Sequence, residues 1–229
     1  MTTFSPLSGT ISERIQQIRQ TLPASVRLIA VTKQVPIAAM REAYAAGVRD
    51  FAESRVQEAE AKQMQLQELT DVTWHLIGHL QSNKVQKALE CFQWIHAIDD
   101  LKLAQRLNRL AADQPQKPQT LLQVKPLPDP NKYGWTIADL LNDLPALNQC
   151  EHLNVRGLMT ILPYGLSAAE AVAAFQQVHT LANTIRDQHL PHIQMQALSM
   201  GMSDDYSLAV QAGTTMIRLG RILFGDRVT

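Results

Sequence analysis

Lys33 is the residue whose type and position most directly suggest covalent chemistry. It follows an apolar run at residues 26–31, Val-Arg-Leu-Ile-Ala-Val, which is typical of a buried parallel strand. An amine at the end of such a strand is partly desolvated, which favours the neutral form that attacks carbonyl carbons. The alternative interpretation is an ordinary lysine that reaches solvent from the end of a strand.

Two segments late in the sequence could bind a phosphate group. Residues 199–205 read Ser-Met-Gly-Met-Ser-Asp-Asp and offer hydroxyls, a glycine for close backbone approach and the start of a helix that Ser203 is expected to cap. Residues 218–221 read Arg-Leu-Gly-Arg and offer two guanidinium groups suited to oxyanions. Taken alone, the first segment could be an ordinary turn, and the second could carry ordinary surface arginines. Opposite Lys33, the two segments together predict a phosphorylated aldehyde bound between them.

The remaining reactive side chains do not form a recognisable site. His75, His79 and His96 come from different predicted elements and lack the spacing of a helical ligand pair, so no metal is expected. Cys91 and Cys150 show no CxxC or Cys–His spacing and are expected to be buried, inert thiols. The sequence contains neither a GxGxxG motif nor a P-loop.

The composition indicates a globular protein, with 45% hydrophobic and 18% charged residues. Its 21 basic and 21 acidic side chains cancel, so the bulk charge favours neither nucleic acid nor an anionic membrane as a partner. Residues 1–20 lack the apolar segment of a signal peptide, and no apolar run is long enough to span a bilayer. We therefore expect a cytoplasmic protein.

The candidate residues are positioned by eight predicted strands that alternate with helices. A leading helix at about residues 8–22, in which Thr10 and Glu13 are spaced as a capping box, precedes a barrel at about residues 26–225. The strands are predicted at residues 26–31, 49–52, 73–78, 94–98, 119–124, 155–161, 193–198 and 215–219. Eight such units indicate an α/β fold, a TIM-type (β/α)8 barrel that forms a single domain over residues 1–229. An open doubly wound sheet is the alternative.

In barrels of this type, functional residues lie where strands end and the next loops begin. This rule selects a set of candidates without further assumptions: Lys33, Glu53, Ser54, Gly78, His79, Asn83, Lys125, Ser199, Gly201, Ser203, Gly220 and Arg221. Met200 lies in the same group of loops, between Ser199 and Gly201.

Several of these residues lie in longer motifs. The motifs are AVTK at 30–33, FAESRVQE at 51–58, WHLIGHLQSNK at 74–84, RGLM at 156–159, SMGMSDD at 199–205 and RLGRILFG at 218–225. Together they resemble the motifs of the pyridoxal phosphate homeostasis proteins. The similarity runs nearly from end to end of the chain, and the sequence as a whole is similar to those of cyanobacterial members. Where the family usually reads FGEN or FGES, this sequence has Ala52 and Ser54.

The resemblance implies the fold-type III barrel of proteins that bind pyridoxal 5′-phosphate (PLP), also seen in alanine racemases, here without a C-terminal β domain. It implies that Lys33 holds PLP covalently as a Schiff base, the aldimine linkage of this cofactor. It places Ser199, Gly220 and Arg221 at the phosphate and Arg218 near the pyridine nitrogen. The remaining candidates for cofactor binding are Gly201 and, as secondary ones, Ser54, His79, Asn83 and Met200.

The same residues bear on whether the protein is an enzyme. A guanidinium stays protonated, so Arg218 would leave the ring nitrogen unprotonated and weaken the electron sink that PLP enzymes use. Racemisation needs acid–base groups on both faces of a substrate, and alanine racemases take one from a second domain for which we expect no room here. These arguments favour a non-catalytic carrier or regulator over an enzyme, with residual racemase-type activity left open.

The expected function is therefore intracellular PLP (vitamin B6) homeostasis, with regulatory effects on amino-acid and keto-acid metabolism, as the resemblance implies. The expected partners are PLP and, as recipients, PLP-dependent apoenzymes, and the expected state is a monomer. Two alternatives stay open: a PLP-dependent amino-acid racemase or lyase, and a sugar-phosphate aldolase-type barrel that forms its Schiff base without PLP.

Overall fold

A closed parallel barrel dominates the computed structural model, which describes residues 8–225. Eight strands follow one another around the barrel in the order β4–β3–β2–β1–β9–β8–β7–β5, and β4 also pairs with β5. That last pairing closes the sheet and excludes the open doubly wound alternative. The strands are β1 Arg27–Val31, β2 Asp50–Glu53, β3 Thr73–Leu76, β4 Trp94–Ile98, β5 Gln119–Lys125, β6 Trp135–Thr136, β7 Asn154–Met159, β8 Ile193–Ser199 and β9 Met216–Leu219.

The helices surround the barrel and begin largely where their capping residues predict. Thr10 and Glu13 form the expected capping box, because each side chain accepts a hydrogen bond from the other residue's backbone N–H. Asp100 and Thr136 also cap the helices that follow them. The helices are α1 Ile11–Thr21, α2 Ile37–Ala45, α3 Val56–Gln65, α4 Val85–Cys91, α5 Leu101–Ala111, α6 Ile137–Leu147, α7 Ala168–Arg186, α8 Tyr206–Gln211 and α9 Arg221–Phe224, with a 3₁₀ turn at Ser82–Lys84.

The hydrophobic core has two layers, as alternation along buried parallel strands requires. On β1, Ile29 and Val31 face the barrel interior, whereas Leu28 and Ala30 face the helices. The interior layer is small, and its buried members are Ile29, Val31, Ala52, Ala97, Leu121, Met159, Ala197 and Met216. The rest of the interior is therefore available to polar side chains.

Three local features differ from the sequence-based expectation. The two-residue strand β6 pairs with β5 outside the closed ring, where Trp135 lies beside Val124. A short helix, α9, follows the last barrel strand directly. The predicted start of α8 at Ser203 is wrong, since the helix begins at Tyr206 and the Asp205 carboxylate accepts the Met202 N–H at 2.6 Å. The pairing of β6 joins residues eleven positions apart, whereas the Met202–Asp205 contact is local and was not recognised in the sequence.

Two further properties concern the described part of the chain. None of the helices within residues 8–225 is long and apolar enough to cross a membrane. Cys91 and Cys150 are both buried and unpaired, and burial raises the pKa of both thiols. Neither cysteine therefore has the electropositive, accessible surroundings of a reactive thiol.

Candidate cofactor site

Lys33 lies at the carboxyl end of β1, in a half-buried position. It continues the inward alternation of Ile29 and Val31. The Thr32 N–H donates to the Ala52 carbonyl at 2.9 Å, so pairing with β2 extends to the residue before the lysine. Gln34, directly after it, has a left-handed φ of 60°. The backbone therefore turns sharply at the residue directly after the lysine.

A buried group of charges holds this turn from the helix side of the barrel. We call Glu53, Glu58 and Lys62 the outer ion cluster. The Lys62 ammonium lies 2.8 Å from the Glu53 carboxylate and 2.7 Å from the Glu58 carboxylate. Burial raises the pKa of Glu53, and its hydrogen bonds from Lys62 and Thr32 oppose that shift only in part.

The outer ion cluster contacts the backbone on both sides of Lys33. Lys62 donates to the Thr32 carbonyl at 2.6 Å, and the Gln34 N–H donates to the Glu58 carboxylate at 2.6 Å. The Thr32 hydroxyl donates to Glu53 at 2.7 Å. These bonds fix the positions of the two residues that flank the lysine.

Arg218 lies in the strand beside β1 and is almost completely buried. Its guanidinium donates to the Ser199 carbonyl at 2.6 Å, the Ser199 hydroxyl at 2.7 Å and the Thr160 carbonyl at 2.8 Å. Burial lowers the pKa of Arg218 to about 10, while Asp205 acts in the opposite direction. The side chain thus stays positively charged at neutral pH, with neutral groups as its hydrogen-bond acceptors.

A series of hydrogen bonds continues from Arg218 across the barrel. We call Asp50, His75, His96 and Ser199 the interior chain. The Ser199 hydroxyl lies 2.9 Å from His96 Nδ1, and His96 Nε2 lies 2.9 Å from His75 Nδ1. His75 Nε2 lies 2.9 Å from the Asp50 carboxylate. The chain thus connects strands β8, β4, β3 and β2 through their inward-facing side chains.

Burial controls the protonation of the interior chain. It lowers the pKa of His75, against the opposing effect of Asp50, and it lowers the pKa of His96 well below its usual range. Burial would raise the pKa of Asp50, but hydrogen bonds from His75 and Arg27 outweigh it and lower that pKa. Asp50 also forms an ion pair with Arg27 at 2.6 Å. Both imidazoles are therefore neutral and Asp50 is ionised at neutral pH.

Two glycines of the predicted site have different structural roles. Gly201 has a φ of +93°, and a Cβ there would lie 2.7 Å from the Ala209 side chain and 2.9 Å from the Tyr206 backbone. A Cβ on Gly220 would meet only Val31, at an ordinary 3.4 Å. Gly201 is thus required by the fold, whereas nothing in the fold requires glycine at position 220.

The start of α9 lies beside the loop after β8. The Ile222 N–H donates to the Ser203 hydroxyl at 3.4 Å, and the first N–H groups of a helix have no partners within it. The Arg221 side chain points elsewhere, since it is exposed and forms an ion pair with Asp204. Any contact of Arg221 with a phosphate in this arrangement would come from its backbone.

The secondary candidates are more scattered. Asn83 is exposed on the 3₁₀ turn, and the Met200 side chain is buried in the outer core layer. Ser54 is half-buried, and its backbone touches Gly78, where a Cβ would lie 2.3 Å from the Ser54 carbonyl oxygen. His79 lies at the barrel mouth, with Nδ1 2.5 Å from the buried Asp99 carboxylate.

Comparison with known proteins places this geometry in a family. The alanine racemase N-terminal domain family matches residues 8–228. The pyridoxal phosphate homeostasis protein of Synechocystis sp. strain PCC 6803 is 51% identical over 212 residues, covering 93% of this chain and 96% of that protein. This chain belongs to the pyridoxal phosphate homeostasis proteins. The Escherichia coli K12 member is 37% identical over 207 residues, covering 90% of this chain and 87% of its own.

Solved structures agree with this family assignment. PipY of Synechococcus elongatus PCC7942, solved without PLP, is 54% identical with a TM-score of 0.90, covering 94% of this chain and all of that one. The same protein solved with PLP bound is 53% identical with the same TM-score. Alanine racemase of Clostridium difficile 630 shares the fold alone, at 14% identity and a TM-score of 0.77, and this chain covers 57% of it.

The residues at the barrel mouth suit the cofactor for which the family is named. A half-buried lysine can react with an aldehyde, and backbone N–H groups where β9 passes into α9 can bind a phosphate. Arg218 uses three of the five guanidinium N–H groups in the bonds described above, which leaves two for an acceptor such as a pyridine nitrogen. No group of metal-binding side chains occurs within residues 8–225.

Sequence reasoning about this family member missed several residues around the site. Glu53 was selected only for its place after a strand, and nothing in the sequence marked Lys62 as part of the site. Asp50 lies at the start of β2, at the opposite end from the loops where function was expected. The Tyr133 ring stacks on His79 with ring centroids 3.9 Å apart. Only the Glu58–Lys62 spacing of four residues on one helix gave a signal in the sequence.

Proposed function

We propose that this chain binds PLP as a Schiff base on Lys33 and serves intracellular PLP homeostasis. The observation that carries the proposal is the adjacency of β1 and β9, with Ala30 beside Leu219. This pairing puts Lys33, two residues beyond β1, at the same end of the barrel as the start of α9, while Arg218 lies deeper, beside Ile29. The PLP bound to PipY and the name shared by the relatives support the same cofactor.

Each residue has a distinct role in this proposal. The Lys33 amine is the nucleophile, and the outer ion cluster holds its backbone. Gly220 and the backbone N–H of Arg221 bind the phosphate, with Ser203 beside them, and Gly201 shapes the preceding loop. Arg218 donates to the pyridine nitrogen. Ser199 was expected to bind the phosphate. Its hydroxyl instead forms hydrogen bonds with Arg218 and His96.

The buried cation favours a carrier over an enzyme. PLP, when bound, supplies an aldehyde and a ring that withdraws electrons most strongly with its nitrogen protonated. With its pKa near 10, Arg218 donates a hydrogen bond but no proton at neutral pH. A protein that keeps the ring nitrogen unprotonated suits reversible storage of the cofactor. Ser54, His79, Asn83 and Met200 are proposed only to line or support the mouth.

The test of this proposal is the visible absorption spectrum of the purified protein beside two variants. We expect a yellow wild type, a colourless Lys33→Ala variant and a yellow Lys125→Ala variant. Lys125 is a matched control, because it is also half-buried and also lies at the end of a barrel strand. A wild type that stays colourless after addition of PLP would overturn the proposal and favour a sugar-phosphate aldolase-type barrel, which borohydride would trap only with substrate present.

One observation favours a second candidate function, PLP-dependent racemisation. The Asp99–His79 pair at the barrel mouth has the arrangement of a proton-transfer dyad, in which a buried carboxylate orients an imidazole. We expect no turnover of D- or L-amino acids by the purified protein. Turnover that is lost on His79→Gln and on Asp99→Asn would instead establish the enzymatic alternative.

The proposal also includes the cellular setting of the carrier. We propose that it works in the cytoplasm as a monomer and passes PLP to PLP-dependent apoenzymes, with effects on amino-acid and keto-acid pools. Light scattering would measure the mass of the particle in solution. Activation of a purified apoenzyme by the loaded protein, at a rate that rises with apoenzyme concentration, would indicate direct transfer. A rate independent of that concentration would indicate release into solution.

A further inference from the structure

The interior chain permits only one arrangement of hydrogens when both imidazoles are neutral. An ionised carboxylate can only accept, so His75 must carry its hydrogen on Nε2, facing Asp50. The His75 Nδ1 then has a lone pair and accepts from His96 Nε2. His96 Nδ1 in turn accepts the hydroxyl hydrogen of Ser199. Every bond in the chain therefore points toward Asp50.

This direction determines what the Ser199 hydroxyl can still do. It gives its single hydrogen to His96, and one of its lone pairs accepts from Arg218. A phosphate oxygen needs a donor, and this hydroxyl has no second hydrogen to give. The same hydroxyl and the carbonyl of the same residue together hold one end of the Arg218 guanidinium.

We propose that Asp50, His75, His96 and Ser199 are positioning residues that fix the Arg218 guanidinium toward the ring of the cofactor. Ser199 acts through Arg218 and does not bind the phosphate. The contact of Arg218 with the ring rests on the proposed function, whereas the direction of the interior chain does not. Two experiments therefore test the two parts separately.

The first experiment measures the imidazole tautomers in protein without cofactor. The probe is ¹⁵N-histidine NMR of the Lys33→Ala variant at neutral pH, with His75→Asn and His96→Asn used only to assign the two rings. We expect a hydrogen on Nε2 and a lone pair on Nδ1 in both rings. A hydrogen on Nδ1 of either ring would overturn the directional chain, whether or not the protein binds PLP.

The second experiment compares PLP with pyridoxal, which lacks the phosphate, as ligands of unloaded protein with Lys33 intact. Substitution of a residue that acts on the ring should weaken the binding of both compounds. Substitution of a residue that binds the phosphate should weaken the binding of PLP alone. We expect Ser199→Ala to weaken both by the same factor, about threefold to tenfold, because the Ser199 and Thr160 carbonyls still hold the guanidinium. Ser199→Thr, which keeps a hydroxyl, should restore most of the loss.

Gly220→Ala is the matched control, since the proposed phosphate contact predicts weaker PLP binding with little change for pyridoxal. A Ser199→Ala loss seen with PLP but not with pyridoxal would return this residue to the phosphate. No loss with either ligand would overturn its positioning role. If the wild type binds neither ligand, the proposed function fails, and the tautomer measurement still decides the direction of the chain.

Discussion

Lys33 follows β1 and Arg218 lies on the adjacent strand β9, and the protein holds the two residues in different ways. At the end of β1, charged groups outside the barrel fix the backbone on both sides of the lysine. On β9, neutral groups inside the barrel fix the guanidinium itself. The comparison shows that a covalent attachment point and a fixed charge need different support. The attachment point needs its backbone placed, whereas the fixed charge needs its side chain placed.

The two kinds of support also differ in their energetics. The outer ion cluster contains charges whose desolvation must be offset by close pairing, so the loss of one member leaves an uncompensated buried charge. The interior chain keeps its imidazoles neutral and satisfies each nitrogen with one hydrogen bond. The two imidazoles therefore carry a desolvation cost only when a proton is added to them.

Removal of Lys62 is expected to have the largest effect on stability. Lys62→Met leaves the fully buried Glu53 and its neighbour Glu58 without their cation, which should lower the free energy of unfolding by about 3–5 kcal/mol. Urea denaturation measures this difference. The control is Lys87→Met, because Lys87 also pairs with two glutamates but all three side chains are over 40% exposed. Equal losses in the two variants would contradict the assigned role of burial.

Substitution of the two glycines near the site should separate an effect on stability from an effect on PLP binding. Gly201→Ala forces a Cβ against the Tyr206 backbone at a positive φ, at a cost of roughly 1–3 kcal/mol in unfolding free energy. Gly220→Ala should leave unfolding nearly unchanged and weaken PLP binding about tenfold, because the methyl group occupies space at the proposed phosphate site. Thermal unfolding and absorbance titration test the pair, and a destabilised Gly220→Ala variant would contradict this division.

Acidification should lower the free energy of unfolding through the interior chain. The pKa values of His75 and His96 are lowered in the folded state, so the unfolded chain binds more protons as the pH falls below about 6.5. The charged groups around them are Asp50, Arg27 and Arg218. The unfolding free energy should therefore be highest above pH 6.5 and decrease on acidification, by up to about 1.4 kcal/mol per pH unit for each imidazole. Urea denaturation of unloaded protein at several pH values checks the sign.

Glu53 of the outer ion cluster should act in the opposite direction. The pKa of Glu53 is raised in the folded state, so its contribution to stability decreases as the pH rises from about 4.5 through the folded value. Glu53→Gln removes that opposing contribution and should make the loss of stability on acidification steeper than in the wild type. A shallower dependence in this variant would show that the assigned direction is wrong.

Much of the site could be predicted from the sequence because strand ends and glycine-containing loops are local signals. The apolar run before Lys33 and the motif around Gly220 place both residues at the carboxyl ends of strands without reference to any partner. The sequence could not predict the interior chain, since its members come from four strands far apart in sequence. It also could not show that Gly201 is required by packing against α8.

Local sequence patterns encode the alternation of eight strands and helices, the capped helix starts and the lysine at the end of the first strand. These follow from side-chain periodicity and from hydrogen bonds between residues a few positions apart. Three other features become visible only in the folded chain: β4 pairs with β5, Lys62 reaches the turn around Lys33, and two histidines link Asp50 to Ser199. Closure of the barrel produces these contacts, because it brings inward-facing side chains of distant strands within hydrogen-bonding distance and excludes water from between them.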